Sequence, residues 1–268
     1  MFNNHLFINK KILITGCTGF KGSWLSIWLN LLGAKLYGLA LEPPTNPSLY
    51  EKANLEKIIE NNFIDIRNSE KVSNLIRRIN PDYIFHLAAQ PLVKNSYIKP
   101  IETWETNVLG TVNILDSLRF LEKKCIGVII TSDKCYENQE WEWGYRETDI
   151  LGGSDPYSAS KGSAELAFKS YFKSFFSNSL SPNIRIASAR AGNVIGGGDW
   201  AENRIVPDCI KSWIKEIHVE IKSPNSTRPF QHVLEPLSGY ISLAEKLNTL
   251  NEINGESFNF GPLSSSNY

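Results

Sequence analysis

The sequence predicts an α/β chain folded as a doubly wound parallel sheet with a smaller C-terminal lobe, and three observations carry that expectation. A short apolar segment, Lys11-Ile-Leu-Ile-Thr-Gly16, runs straight into a glycine turn and then an amphipathic stretch. Apolar strand-like segments then alternate with helix-like segments as far as Ala191, as parallel βαβ units require. The chain has 268 residues, 42% of them apolar, enough for one large core or one core with a smaller lobe.

In chain order, the strand at 11–16 leads into Gly16-Cys-Thr-Gly19-Phe-Lys-Gly22, and a helix is expected over 20–32. Gly16 permits the tight turn, Gly19 lets backbone approach a pyrophosphate, and Gly22 allows close helix–strand packing. The phosphates would sit at the positive end of the helix dipole. The spacing is GxxGxxG rather than GxGxxG, and a turn that merely holds three glycines is the competing reading. Further strands are expected at 35–41, 61–66, 83–89, 127–132 and 184–191, and further helices at 68–79, 101–121 and 156–177. Glycine and proline cluster at 43–47, 152–156, 196–198 and 224–229, which read as loops. After Ala191 the pattern turns irregular, with Gly196-Gly-Gly-Asp-Trp200 its clearest loop. The expected division is a nucleotide-binding domain over 1–192 with 231–250, and a partial second lobe over 193–230 with 251–268.

Formal net charge is zero, from 28 basic and 28 acidic residues in mixed order. Nothing in that balance indicates a nucleic-acid or membrane surface. Cys17, Cys125, Cys135 and Cys209 lack metal-ligand spacing and read as reduced thiols, which suits a cytoplasmic enzyme without a metal. No apolar run approaches membrane-spanning length, and Met1 to Lys10 is too short and polar for a signal peptide. The seven tryptophans form no repeat, and Trp24, Trp28 and Trp104 are expected to pack helices.

The chemistry centres on Thr131-Ser-Asp-Lys-Cys-Tyr136 and, downstream, Tyr157-Ser-Ala-Ser-Lys161. Tyr157 and Lys161 stand at i and i+4, on one helix face. A nearby ammonium lowers a phenol's pKa, so a tyrosinate base near neutrality is expected. Ser132 ends an apolar strand, where its hydroxyl can hold the oxygen that the tyrosine deprotonates. Alone, YxxxK is a weak pattern; its weight comes from the nucleotide turn before it. His86, inside an apolar strand, reads as a satisfied core histidine.

These motifs, together with Thr15–Trp24, His86–Val93, Trp143–Glu147, Asp155–Lys161, Arg190–Gly196, Asn203–Asp208 and Arg228–Val233, resemble the extended short-chain dehydrogenase/reductases that act on nucleotide sugars. Within that family the chain is similar to the CDP-glucose 4,6-dehydratases. The glycine motif and YxxxK mark only the superfamily. Ser132-Asp-Lys134 is narrower, because sibling sugar dehydratases carry Thr-Asp-Glu there. The resemblance implies a Rossmann-type fold, NAD as cofactor and a nucleotide sugar, CDP-glucose, as substrate. It also implies a homodimer or homotetramer, paired through the helices at 101–121 and 156–177, and a place in lipopolysaccharide O-antigen synthesis. Family chains continue past the stretch resembling Ser257–Pro262, so a truncated, weakly active lobe is expected.

The implied reaction is an internal redox cycle. Tyr157 takes the proton from the sugar's 4-hydroxyl while hydride leaves C4 for NAD+. The resulting ketone acidifies C5, water leaves across C5 and C6, and hydride returns to C6. Asp133 is the candidate acid for the departing 6-hydroxyl, and Lys134 handles the C5 proton or stabilises the enolate. To accept that proton the Lys134 amine must be neutral, which burial and nearby Lys161 would favour. By resemblance the cofactor is held by Gly16, Thr18, Gly19, Phe20, Lys21 and Gly22, by Asp65 and Ile66, by Leu87, Ala88 and Ala89, and by Tyr157 and Lys161. A turn-capping role rivals the adenine contact at Asp65. Substrate contacts are expected from Gln90, Asn193, Arg204 and Arg228, the two arginines suiting bidentate phosphate contacts. Lys94 and Asn95 lie on the same edge, and His232 stands close to Arg228 in sequence.

One further departure concerns the cofactor. Ala40 stands where NAD-binding relatives usually carry an acid, with Glu42 two residues later. No arginine near Lys35 offers itself to a 2′-phosphate, which keeps NAD ahead of NADP. Two other functions compete: a sugar epimerase or ketoreductase on the same scaffold, needing no acid/base pair after Ser132, and a catalytically silent NAD(P)-binding protein, expected to lack Tyr157 or Lys161.

Overall fold

The computed structural model describes residues 5–177, 183–221 and 224–262; the parts of the expected second lobe at 222–223 and 263–268 lie outside them. Seven parallel strands form one sheet: β1 (Lys11–Thr15), β2 (Lys35–Ala40), β3 (Ile59–Phe63), β4 (Tyr83–His86), β5 (Cys125–Ile130), β6 (Ile184–Ala191) and, from the chain's far end, β9 (Ser257–Phe260). Their order is β3-β2-β1-β4-β5-β6-β9. The chain order reverses between β1 and β4, and in doubly wound sheets the crevice beyond the strands' carboxyl ends at that point receives the ligand. A small parallel pair, β7 (Val194–Ile195) with β8 (Gln231–His232), lies apart from this sheet.

The expected helices are present, and two of them carry π turns. α1 spans Phe20–Leu31 and α3 Ser69–Ile79. Asn68 caps α3 at its start by accepting from Lys71 N, and Asn80 ends it in the left-handed region. α5 (Pro100–Trp104) passes through a π turn at Glu105–Leu109 into α6 (Gly110–Leu118), and α7 (Pro156–Tyr171) ends in another at Phe172–Phe176. Short α2 (Leu49–Lys52) and α4 (Val93–Ile98), together with α8 (Ile205–Ile214) and α9 (Leu234–Thr249), complete the set.

Strand alternation sorts the core onto two faces. Ile12, Ile14 and Val128 point to one face, under Leu25 and Leu29 of α1 and Leu237, Tyr240 and Ile241 of α9. Leu13, Leu39 and Ile129 point to the other, under Val72 and Ile76 of α3, Ile114 and Leu118 of α6 and Phe168 of α7.

Three expectations need correction. β9 is an outer strand of the main sheet, in register with β6 from Ser188↔Ser257 to Ala191↔Phe260, so 257–260 join that sheet and not the second lobe. β3 begins earlier than expected and leaves the sheet after Phe63, because Asp65 closes a turn by accepting from Arg67 N at 2.9 Å. Trp104 is 41% exposed and packs no helix interior, whereas Trp24 and Trp28 lie partly buried against the first core face. Among the described residues no helix is long and apolar enough to cross a membrane.

Candidate active site

The glycine turn opens at the carboxyl end of β1. Gly16 has φ 72°, and its N–H donates to Leu39 O at 2.8 Å. A Cβ on Gly22 would fall 2.1 Å from Gly16 O, so only glycine lets α1 pack against its own turn. The helix cap is Gly19, and no side chain caps it or places an acid in the first turn. A Cβ built there would meet only Gly16 O within 4 Å among the described residues. Gly19 N donates to Gly16 O at 3.1 Å, and the first amides of α1 beyond it have no side-chain cap, which fits a pyrophosphate. Thr18 Oγ1 donates to Leu41 O at 2.9 Å, fixing the loop after β2. Phe20 lies against Gly196.

Lys21 reaches further than the cofactor turn. Its electrostatic neighbours are Arg204, Asp133 and Lys161, and burial is the main reason its pKa falls to about 8. An ammonium from α1 therefore stands in the same cluster as the residues after β5.

The rim beside the turn is built mainly from backbone. The Asp65 carboxylate accepts from Arg67 N, Nε and Nη2, and the Arg67 side chain holds its pKa below the usual range; the turn-capping role is the one visible. Ile66 is buried against Gly110, and Asn113 Nδ2 donates to its carbonyl at 2.9 Å. Ala40 is buried and Glu42 exposed. Leu87, Ala88 and Ala89 are half-buried past the end of β4, and Ala88 N donates to Thr15 Oγ1 at 3.0 Å.

That last bond begins a chain that fixes the His86 tautomer. Thr15 Oγ1, already accepting from Ala88 N, donates to His86 Nδ1 at 2.7 Å. Thr111 Oγ1 donates to Asn107 O at 2.7 Å, so at 3.0 Å it accepts from His86 Nε2. Burial pushes the His86 pKa down to about 3, leaving a neutral core histidine as expected. Gln90 departs from expectation. It is buried, and its amide bonds Leu92 N, Leu92 O and Thr103 Oγ1, so its side chain braces its own turn. The π turn before α6 presents Asn107 inward, where it bonds both backbone groups of Gln90 and donates to Ser160 Oγ at 2.9 Å.

The catalytic candidates meet between β5 and α7. Ser132 is extended and caps a 3-10 turn over Asp133–Cys135. Its Oγ donates to Asp133 Oδ1 at 2.9 Å and accepts from Lys134 N at 3.2 Å. On the facing side, Asp155 caps α7 by accepting from Tyr157 N and Ser158 N, each at 3.0 Å, with Pro156 at a position where a missing N–H costs nothing. That cap sets Tyr157 and Lys161, which are 8% and 6% exposed. A Cβ on Gly162 would lie 3.1 Å from Cys135 O, so this glycine lets α7 close on the turn. Asp133 and Lys134 are half-buried.

The simple picture of an ammonium acidifying a phenol needs correction. Burial pushes the Tyr157 pKa up to about 12, with Ser132 pulling it down and Asp133 pushing it further up. Burial also brings Lys161 down to about 8, against the opposing pull of Cys135 and Glu165. By the pH at which the phenol ionises, Lys161 has already lost its proton. The charge therefore assists only below about pH 8.

The substrate-side residues divide. Arg204 Nη1 pairs with Asp199 Oδ2 at 2.8 Å, yet its charge acts on both Tyr157 and Lys21. Asn193 is half-buried just past β6, and its carbonyl accepts from Gln231 N. Arg228 is exposed and donates to Thr227 O. The next residue, Pro229, closes on Gly192, and Asp133 Oδ2 approaches the same glycine: a Cβ there would meet Pro229 Cγ at 2.6 Å and that oxygen at 3.1 Å. Lys94 is exposed and Asn95 half-buried on α4. His232 Nδ1 accepts from Leu234 N. Sequence reasoning missed Asp155, Asn107, Glu165 and Arg190; of these only Asp155-Pro156 carried a readable signal, that of a helix start.

A family model described as GDP-mannose 4,6 dehydratase matches residues 13–198, a stretch that takes in the glycine turn, the Ser132 turn and the YxxxK helix. The chain belongs to the GDP-mannose 4,6 dehydratase family. Within this dehydratase family it is 50% identical over 264 residues to CDP-glucose 4,6-dehydratase of Salmonella typhimurium, covering 98% of this chain and 74% of that protein. An epimerase from Methanothermobacter thermautotrophicus shares the fold with TM-score 0.80 at 23% identity, over 96% of this chain and 73% of that one. A double mutant of dTDP-glucose 4,6-dehydratase from Streptomyces venezuelae, solved with NAD bound, gives TM-score 0.76 at 21% identity, over 93% and 75%.

Proposed function

We propose that this chain is an NAD-dependent nucleotide-sugar 4,6-dehydratase acting on CDP-glucose. The observation that carries the reading is the Ser132–Asp133–Lys134 turn set against Tyr157 in a chain 50% identical to the Salmonella dehydratase. An epimerase needs only the tyrosine side of that pair. NAD, when bound, accepts hydride from C4 of the sugar and returns it to C6. The Gly16–Gly19 turn and the amides of Phe20 and Lys21 hold the pyrophosphate, while Lys161 and the backbone at Leu87–Ala89 hold the nicotinamide half. Tyr157 takes the 4-hydroxyl proton, with Ser132 orienting that oxygen. Asp133 protonates the departing 6-hydroxyl, and Lys134 serves the C5 proton. Arg204 and Arg228 take the diphosphate and Asn193 bridges it to the sugar, which requires Arg204 to exchange Asp199 for phosphate oxygens. In this reading residues 193–230 form the substrate side over the nucleotide-binding sheet.

The test is to mix the protein with NAD+ and CDP-, dTDP-, UDP- or GDP-glucose and weigh the product. Loss of one water from the CDP sugar supports the proposal. An epimer of unchanged mass selects the epimerase, and cofactor binding without turnover selects a silent binding protein. The same reading has two copies pairing through α5–α6 and α7, which leave Ile101 73%, Leu109 55% and Leu166 57% exposed; a monomer in sedimentation would count against it. It also places the protein in the cytoplasm, in keeping with four free cysteines.

A further inference from the structure

One buried ion pair grips the Ser132–Cys135 turn at both ends. Glu165 and Arg190 have fully buried side chains, and Arg190 Nη2 donates to Glu165 Oε2 at 2.7 Å. Before the turn, Thr131 Oγ1 donates to Glu165 Oε1 at 2.5 Å. After it, Tyr136 Oη accepts from Arg190 Nη1 at 2.7 Å and donates to Asn259 Oδ1 of β9 at 2.6 Å. Ser188 and Ser257 also donate to Glu165 Oε2, at 2.9 and 3.2 Å. Glu165 lies one helical turn beyond Lys161 on α7, so the network joins the helix that carries the base to both flanks of the turn that carries the acid.

Stability alone is a poor reason for such a pair. Desolvating two charges roughly cancels their attraction, and apolar residues of similar volume serve a core as well. Arg190 Nε is, moreover, buried without a partner among the described residues, a further cost. We propose that Glu165 and Arg190 are positioning residues, holding Ser132 and Asp133 in register with Tyr157 and Lys161 through Thr131 and Tyr136. Glu165 has a second effect, because its charge supports the protonated form of Lys161. Lys161 is faced by Tyr157 and Glu165 from α7, Cys135 from the turn, Lys21 from α1 and neutral His86 from β4; of these charged groups, among the described residues, Glu165 is the anion.

The inference deepens the dehydratase reading and uses it for the kinetic arm alone. Thr131→Val and Tyr136→Phe each cut one grip and leave the ion pair intact. Hydrogen exchange followed by mass spectrometry should show faster exchange confined to 131–137 in both variants. Their kcat should fall about ten- to a hundredfold, with cofactor Kd and sugar KM unchanged. Glu165→Gln should move the bend in the pH profile of kcat/KM to lower pH, and Glu165→Asp should restore part of it. Exchange and kcat matching the parent chain in both single-grip variants would overturn the proposal. So would faster exchange spread over the whole sheet, the mark of a merely structural role. A parent chain that turns over no sugar nucleotide would defeat the dehydratase reading instead, with the exchange result still readable.

Discussion

Replacing Lys161 with methionine, with cofactor held saturating, separates what the lysine does for the phenol from what its burial does to the fold. Nζ lies 5.9 Å from the centre of the Tyr157 ring, and a unit charge at that separation from a phenolate is worth up to about 3 kcal/mol at an effective dielectric of about 20. That is about two pKa units, or about a hundredfold in phenolate at a given pH. The charge is present only below about pH 8. In the parent chain, kcat/KM for sugar oxidation should rise about tenfold per pH unit and then level near the lysine pKa, because each further gain in phenolate is offset by an equal loss of ammonium. Lys161→Met should run about a hundredfold lower and keep rising past that point. Stability moves the other way. The folded lysine pKa lies below its ordinary 10.5, so burying the ammonium costs stability in full below about pH 8, and the cost fades as pH rises towards 10.5. The shift corresponds to about 3 kcal/mol, and the variant should melt several degrees higher at neutral pH and lose that advantage by about pH 10. Single-turnover cofactor reduction and thermal scans across pH read both effects. A variant profile that levels where the parent's does would refute the claim that Lys161 acts on Tyr157 through its charge.

Tyr157→Phe should abolish cofactor reduction in a single turnover while leaving cofactor binding nearly intact, since the glycine turn and Lys161 remain; normal reduction would remove Tyr157 as the base. Lys134→Ala should still reduce bound cofactor on mixing with substrate and then stall, with deuterium uptake at C5 falling sharply; loss of the reduction itself would assign Lys134 to the first step. Asp133→Asn should stall after oxidation too, with reduction at least as fast as in the parent chain because a charge opposing the phenolate is gone; slower reduction would show that Asp133 serves the first step. Gly22→Ala should lose cofactor affinity and stability together, because a Cβ there would meet Gly16 O at 2.1 Å; cofactor titration and melting read both, and unchanged values would count against the packing account.

The sheet, the glycine turn and the YxxxK pair were legible because each is local, a matter of period, spacing or punctuation. β9 was not. Four residues, Ser257–Phe260, become a strand only because the exposed edge of β6 receives them. α9 was obscured by Pro236 and Gly239, although proline is tolerated in a first turn and the glycine makes room for the Phe260 ring. Glu165 carried no signal, and Arg190, though it opens a matching motif, gave no hint of its partner, since only the β5–α7–β6 topology brings them together. Gln90 misled for a related reason: its place at a strand edge was visible, but the folding of its amide onto Leu92 was not. The Tyr157 shift was misjudged because burial and charge compete, and the depth that decides between them belongs to the fold.

The two chemical steps meet in one carboxylate. Asp133 Oδ1 accepts the Ser132 hydroxyl proton, and the Asp133 charge raises the pKa of Tyr157. An ionised Asp133 therefore opposes oxidation twice, by drawing Ser132 away and by disfavouring the phenolate. On the proposed reading, the same residue in its protonated form is the acid that elimination uses. Protonating Asp133 frees Ser132 to hold the 4-oxygen, relieves Tyr157 and loads the proton that the 6-hydroxyl will need.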